Sequence, residues 1–239
     1  MDINAKVLII IPAYNEQDNI VDVINDIKNN ASLYDYLVIN DCSTDKTKNI
    51  LLENNINFIS MPVNMGIGGT VQTGFKYAYA NGYDIVIQFD GDGQHKARYI
   101  PEMVKIISDN KANIVIGSRF LDKQGYQSTF FRRLGIKYFK TLIWLMSGIS
   151  ITDPTSGFRA CNLSVMEMFS IYYPQDYPEP ESIMSVIRKK FKIAEISVEM
   201  SERNGGKSSI GVFNSIYYML KVTLAIIIDK IKPQMLADK

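Results

Sequence analysis

The sequence predicts an α/β fold built around a largely parallel sheet, and three observations carry that expectation. Short apolar, β-branched runs alternate with longer stretches whose apolar residues recur at helical spacing, the form of successive βαβ units. Several of the runs lead directly into short segments of Pro, Asn, Asp and Gly, which turn the chain at a strand end. The chain has 239 residues, 46% of them hydrophobic and 21% charged, enough to bury a sizeable core and too apolar for a disordered chain.

In order along the chain, residues 6–11 (KVLIII) read as a buried strand. Residues 15–30 follow as a helix, with Ile20, Val23, Ile24 and Ile27 on one face and Asn and Asp near its start to cap it. Strands at 36–40 (YLVIN), 57–61, 84–89 (DIVIQF) and 113–118 alternate with helices at 46–54, 69–80 and 100–110. After Arg119 the alternation is lost and aromatic and basic residues increase. A strand at 192–199, a polar loop at 201–209 and a long helix at 211–232 complete the reading. The expected organisation is one domain over 1–210, divided into an α/β half (1–120) and a more variable half (121–210), with a C-terminal helical segment at 211–239.

Charge and cysteine usage exclude several classes. With 26 basic against 25 acidic side chains the net charge is +1, so no nucleic-acid partner is expected. Cys42 and Cys161 sit in unrelated contexts, without a CxxC or Cys/His cluster, so neither a disulfide framework nor a zinc site is indicated. The N-terminus lacks the basic start and cleavage site of a signal peptide, and a cytosolic chain is expected.

Two helices raise the question of a membrane. Residues 130–146 place Arg133, Lys137 and Lys140 on one face and Leu134, Tyr138, Leu142 and Leu145 near another, the pattern of a helix lying among lipid headgroups or of an amphipathic core helix. Trp144 is assigned by default to core or interface packing. The last helix is apolar nearly all round, but Lys221, Asp229, Lys230 and Lys232 favour docking on a bilayer surface or a membrane partner over a true span.

The strongest chemical signal is DGDGQH at 90–95, directly after an apolar strand. Asp90 and Asp92, separated by one residue at a strand end, can both reach a divalent ion, and their hard oxygens suit Mg²⁺ or Mn²⁺. An ordinary solvated turn is the alternative, but open α/β sheets bind ligands at the carboxyl ends of their strands. A second segment, PAYNE at 12–16, offers Tyr14 to cover a planar base and Glu16 to accept from ring or ribose donors. In a third, NDCSTD at 40–45, Asp41 is a candidate for a base N–H or a ribose hydroxyl, and residues 43–45 for capping the next helix. Gly66, Gly68, Gly69 and Gly74 fit neither a P-loop nor a dinucleotide fingerprint, because no GK[ST] follows and Val71 takes the last glycine position. They are read as a loop and helix start near the ligand.

Taken in order, PAYNE, NDCSTD, NMGIGG, DGDGQH, GSRF at 117–120 and TDPTSGFR at 152–159 resemble the motif series of family 2 glycosyltransferases. The similarity is closest to the branch containing dolichyl-phosphate mannosyltransferase and bacterial polyprenyl-phosphate glycosyltransferases, and it covers roughly residues 6–210. It implies a GT-A fold, with a Rossmann-like nucleotide-binding half, a mixed but mainly parallel sheet and then the C-terminal amphipathic helix. It also implies a nucleotide-diphospho-sugar donor, a divalent metal and inversion at the anomeric carbon. Carried over by position, Pro12, Ala13, Tyr14, Glu16, Asp41, Gly68, Asp90 and Gly91 fall to the donor, and Asp90, Asp92 and Gln94 to the metal. Arg203 and Lys207 match a basic loop that closes over the diphosphate. Cys42 stands where the resembling sequences usually carry glycine, and Asn40 where many carry aspartate, which leaves uracil and guanine both open. His95 is read as support for the metal motif or the leaving group.

The acceptor decides whether a base is needed. A lipid monophosphate is already anionic and requires cations to hold it, whereas a sugar hydroxyl requires a carboxylate to take its proton. Arg119, with Arg132 and Arg133, suits the first; Asp153, Glu179 and Glu181 are the candidates for the second, Glu179 or Glu181 alternatively orienting Arg159 or a lysine. The primary expectation is a transferase acting on polyprenyl phosphate at the inner face of the cell membrane, alone or with a small membrane protein. Transfer to a saccharide hydroxyl and a non-catalytic nucleotide-sugar-binding scaffold are the alternatives.

Overall fold

A computed structural model describes residues 5–122, 130–176, 178–201 and 212–231. Its strands are β1 (Val7–Ala13), β2 (Asp35–Asn40), β3 (Phe58–Ser60), β4 (Ile85–Gln88), β5 (Ile114–Ser118), β6 (Arg159–Asn162) and β7 (Ile193–Ser197). The helices are α1 (Ile20–Asn30), α2 (Thr47–Glu53), α3 (Gly66–Ala80), α4 (Ile100–Ser108), α5 (Phe130–Ser147), α6 (Leu163–Ile171), α7 (Pro178–Arg188) and α8 (Val212–Ile231). One seven-stranded sheet has the order β3-β2-β1-β4-β6-β5-β7. Strand β6 runs antiparallel to both β4 and β5, and every other pair is parallel.

The strands are apolar because the sheet is covered on both faces. All seven positions of β1 are buried; Ile9 and Ile11 pack into one layer with α1 and α4, Leu8 and Ile10 into the other with α3, α5, α6 and α7. In α1 the expected face of Ile20, Val23, Ile24 and Ile27 is the buried one. The helix starts later than its periodicity suggests. Asn15 adopts a left-handed φ of 57°, and the Glu16 carbonyl accepts from the N–H groups of Asn19 and Ile20, so 15–19 form a turn that precedes the helix.

The second half departs most from expectation. Strand β6 and helices α6 and α7 have no counterpart in the sequence-based reading, and the strand expected at 192–199 ends at Ser197. Helix α5 buries Ile136, Phe139 and Ile143, whereas Leu134, Tyr138 and Leu145 are exposed together with Arg133 and Lys137. Trp144, expected in packing, is 52% exposed. Helix α8 lies against α7 and α5, burying Val222 and Ile226 and exposing Leu220, Leu224 and Ile228. Tyr138 and Thr223 share a hydroxyl hydrogen bond of 2.8 Å between α5 and α8, and Lys221 pairs with Asp176 ahead of α7. Among the described residues no helix is long and apolar enough to cross a membrane.

Within NMGIGG, Gly68 and Gly69 are closely packed, and Gly66 takes a left-handed φ of 71°. Helix α3 begins at Gly66, not Gly69, and the Gly68 N–H donates to the Gln175 carbonyl at 3.1 Å. A Cβ on Gly68 would lie 2.1 Å from Pro174 O and 2.3 Å from Gln175 O, so only glycine lets this turn meet the segment between α6 and α7. Gly68→Ala is therefore expected to destabilise the fold by about 3 kcal/mol in urea denaturation, through overpacking and loss of that hydrogen bond. Gly135→Ala, in α5 where an added Cβ meets nothing within 4 Å, is expected to stabilise by about 0.5–1 kcal/mol.

Candidate active site

The strand order reverses between β1 and β4, which opens a crevice at the carboxyl edge of the sheet. Pro12 and Ala13 end β1 there, and a Cβ on Gly91 would lie 3.0 Å from the Pro12 carbonyl, so the PAYNE and DGDGQH segments adjoin. Tyr14 is 46% exposed at this edge. The loops after β1 and β2 are tied by reciprocal hydrogen bonds. The N–H of Asn15 donates to Ser43 Oγ at 3.0 Å, that of Glu16 to Thr47 Oγ1 at 2.9 Å, and that of Thr44 to Asn15 Oδ1 at 2.8 Å. Glu16 is buried and accepts from Asn19 at 2.8 Å. Asp41 is buried too, and its Oδ1 accepts from the Met65 N–H at 2.6 Å, anchoring the entry to α3. Between these, Cys42 sits at a left-handed φ of 56°, which explains why glycine suits that position.

Asp90 follows β4 with its side chain one third exposed. Its Oδ2 lies 3.0 Å from His95 Nε2. Burial pushes the Asp90 carboxyl up, but His95, the Gln88 amide and the Arg159 charge together outweigh it and hold the group below the usual carboxylate range. Asp92 Oδ1 accepts from the Gln94 N–H at 3.1 Å, closing a tight turn helped by Gly93 at a φ of 76°. Gln94 is joined to Ser201 through the Ser201 N–H to the Gln94 carbonyl, 2.9 Å, and Gln94 Nε2 to the Ser201 carbonyl, 3.4 Å. The donor set fits a hard divalent ion: carboxylates of Asp90 and Asp92 two residues apart, an amide oxygen on Gln94, and glycines on either side. Among the described residues no group of three or more His, Cys, Asp or Glu side chains is close enough to hold a metal ion alone.

On the other side of β4, Arg119 at the end of β5 and Asp153 form a buried two-point ion pair, Nε to Oδ2 at 2.6 Å and Nη2 to Oδ1 at 2.8 Å. Thr155 Oγ1 accepts a further Arg119 hydrogen bond at 2.9 Å. Glu195 of β7 receives the N–H groups of Thr152 and Asp153 at 2.9 and 3.1 Å, which fixes the loop carrying Asp153. Arg159 is buried at the start of β6; its guanidinium donates to the carbonyls of Ser156, Pro154 and Glu179 and to Ser182 Oγ. The Glu179 backbone carbonyl is thus one of the groups that Arg159 holds. Glu181, in the first turn of α7, accepts from the Tyr172 hydroxyl at 3.3 Å.

The structure therefore gathers Pro12, Ala13, Tyr14, Glu16, Asp41, Asp90, Gly91, Asp92 and Gln94 along one edge, with Arg119 and Asp153 across β6. Arg133 is exposed on α5, and Gly68 faces Gln175. Arg203 and Lys207 lie outside the described residues, as does the side chain of Arg132. The sequence reading missed Gln88, Glu195 and Gly157. Gln88 is the one polar residue in the apolar run before Asp90, which was its available signal. Glu195 and Gly157 gave none, because their roles depend on strand order.

Residues 8–169 match the family model described as glycosyl transferase family 2. A UDP-N-acetylglucosamine–dolichyl-phosphate N-acetylglucosaminyltransferase of Methanococcus voltae is 30% identical, over 93% of this chain and 98% of its own length. An undecaprenyl-phosphate mannosyltransferase of Micrococcus luteus is 25% identical, over 86% and 87%. The fold is similar to that of glucosyl-3-phosphoglycerate synthase from Mycobacterium tuberculosis, solved with Mn²⁺, UDP-glucose and phosphoglyceric acid, at a TM-score of 0.76 and 16% identity, covering 96% of this chain and 81% of that one. The architecture is the GT-A fold.

Two substitutions check the energetics. Asp153→Ala leaves a buried guanidinium unpaired and is expected to destabilise by about 3–5 kcal/mol, with Arg119→Met/Asp153→Leu recovering most of that loss in the same denaturation assay. Cys42→Gly relieves the left-handed backbone and is expected to stabilise by about 1 kcal/mol.

Proposed function

The chain belongs to glycosyl transferase family 2 and is a glycosyltransferase, and on that premise we propose that it moves a sugar, with inversion, from a nucleotide-diphospho-sugar to a polyprenyl phosphate. The observation that carries the acceptor assignment is the state of Asp153. It is fully buried and committed at both oxygens to Arg119, so it does not take a proton from an incoming hydroxyl. An acceptor phosphate needs no base, only cations and orientation. The names of the relatives, which act on dolichyl and undecaprenyl phosphates, support the same reading.

In this reading Pro12, Ala13, Tyr14, Glu16 and Asp41 receive the nucleoside, with Glu16 and Asp41 held rigid by their own hydrogen bonds. Asp90, Asp92 and Gln94 would hold a divalent ion, Mg²⁺ or Mn²⁺, which would stabilise the charge that develops on the leaving diphosphate. Arg119, locked by Asp153 and Thr155, and Arg133 on α5 orient the acceptor phosphate. The face made by Leu134, Tyr138, Leu145, Leu220, Leu224 and Ile228, flanked by Arg133 and Lys137, docks on the bilayer that carries the acceptor, at its cytoplasmic side. Its apolar exposure beside cations is what supports this.

The test is a donor screen with purified protein, Mn²⁺ or Mg²⁺ and a short polyprenyl phosphate, following released nucleoside diphosphate. Release that requires both lipid phosphate and metal is expected. Arg133→Ala is expected to lower kcat/KM at least tenfold, while Glu181→Gln stays within about threefold. The opposite pattern would assign a hydroxyl acceptor with Glu181 as its base.

A further inference from the structure

Among the described residues, two buried side-chain polar atoms lack a hydrogen-bond partner, Gln88 Nε2 and His95 Nδ1. Native proteins leave few such atoms, and both of these belong to side chains that flank Asp90. His95 is buried, its ring centroid 5.5 Å from that of Phe89 and 5.0 Å from that of Phe158, so its plane is fixed by aromatic walls. Its Nε2 stands 3.0 Å from Asp90 Oδ2, and an ionised carboxylate only accepts, so Nε2 carries the hydrogen. Gln88 approaches from another side. Its Oε1 accepts from the Tyr173 hydroxyl at 3.3 Å, which leaves Nε2 as the atom bordering, with both Asp90 oxygens, the space beside Gly157; the reverse flip would set a carbonyl oxygen there. Gly157, just before β6, closes the third side. A Cβ there would lie 2.8 and 3.1 Å from the two Asp90 oxygens and 3.1 Å from Gln88 Nε2.

We infer that His95 is a positioning residue: its Nε2–H, together with the Gln88 amide and the bare backbone of Gly157, fixes the plane of the Asp90 carboxylate for a divalent ion. The inference rests on assigning Asp90 and Asp92 to the metal. A free aspartate rotates about its side-chain bonds, and an ion that keeps near-octahedral geometry selects few of those orientations. Outer hydrogen bonds of this kind typically change metal affinity about 10–100-fold when removed. The aromatic walls give His95 a packing role as well, and the substitutions below separate the two.

His95→Phe keeps the aromatic filling and deletes the hydrogen bond, whereas His95→Gln restores an N–H at a similar reach. Mn²⁺ is titrated into each full-length protein with UDP and, in parallel, with GDP, and read by water-proton relaxation enhancement, which reports ions held in the slowly tumbling protein. Thermal melting verifies folding. The expected result is a titration about 10–100-fold weaker in H95F and within about threefold of wild type in H95Q. A folded H95F that titrates like wild type overturns the inference and leaves the proposed function standing. Absence of enhancement in wild type with both nucleotides overturns the inference and the metal assignment together. Should H95F not fold, Gly157→Ala presses directly on both Asp90 oxygens and on Gln88 Nε2 while leaving His95 in place. A weaker titration there supports the inference, and an unchanged one overturns it.

Discussion

Strand β6 runs against its neighbours, and the ligand edge of the sheet depends on that reversal. A parallel strand between β4 and β5 would present its carboxyl end beside Asp90. The antiparallel strand presents its amino end instead, so the chain arrives through the TDPTSGFR segment, with Gly157 against the Asp90 carboxylate and Arg159 beneath the loop. The buried guanidinium of Arg159 then gathers the carbonyls of Ser156, Pro154 and Glu179 and the Ser182 hydroxyl, joining the loop to the first turn of α7. A planar group with fixed donors holds such a set in one arrangement, which an ammonium does not.

The same edge shows how buried charge is made tolerable. Burying a carboxylate or guanidinium alone costs several kcal/mol, so each is paired or heavily hydrogen-bonded. Arg119 and Asp153 satisfy one another, Glu195 takes the backbone N–H groups of Thr152 and Asp153, and Asp90 is held by His95. This commitment has a functional consequence. A carboxylate locked to an arginine at both oxygens is a poor base, and for Asp153 this is the ground on which a phosphate acceptor is proposed.

The first half of the fold was largely legible because its signals are local. KVLIII and DIVIQF are buried strands whatever surrounds them, and the spacing of Ile20, Val23, Ile24 and Ile27 identifies the inner face of α1 without tertiary information. The start of α1 was misjudged because Asn15 breaks the helix through contacts with Thr44, far along the chain. Strand β6 was illegible for a related reason. RACN has neither β-branched residues nor alternation, and it is a strand only because β4 and β5 offer two edges to it. Of the candidate site, Asp90 and Asp92 could be read from spacing at a strand end, and Gln94 came with the family resemblance. The Arg119–Asp153 pairing could not, since it joins two motifs 34 residues apart. On α5 the sequence left a headgroup face and a core face both open, because its apolar residues go round the helix; only the packing shows that Ile136, Phe139 and Ile143 are the inner set and that Leu134, Tyr138 and Leu145 face outward.

The proposed function puts the donor and its ion in the crevice between β1 and β4, against the face that β6 closes. Manganese anomalous diffraction from crystals grown with Mn²⁺ and a nucleoside diphosphate addresses it most directly. One strong peak is expected within coordination distance of the Asp90 and Asp92 carboxylates, with the nucleoside beside Pro12, Tyr14 and Asp41. A peak at any other group, or a nucleotide bound away from that crevice, would contradict it.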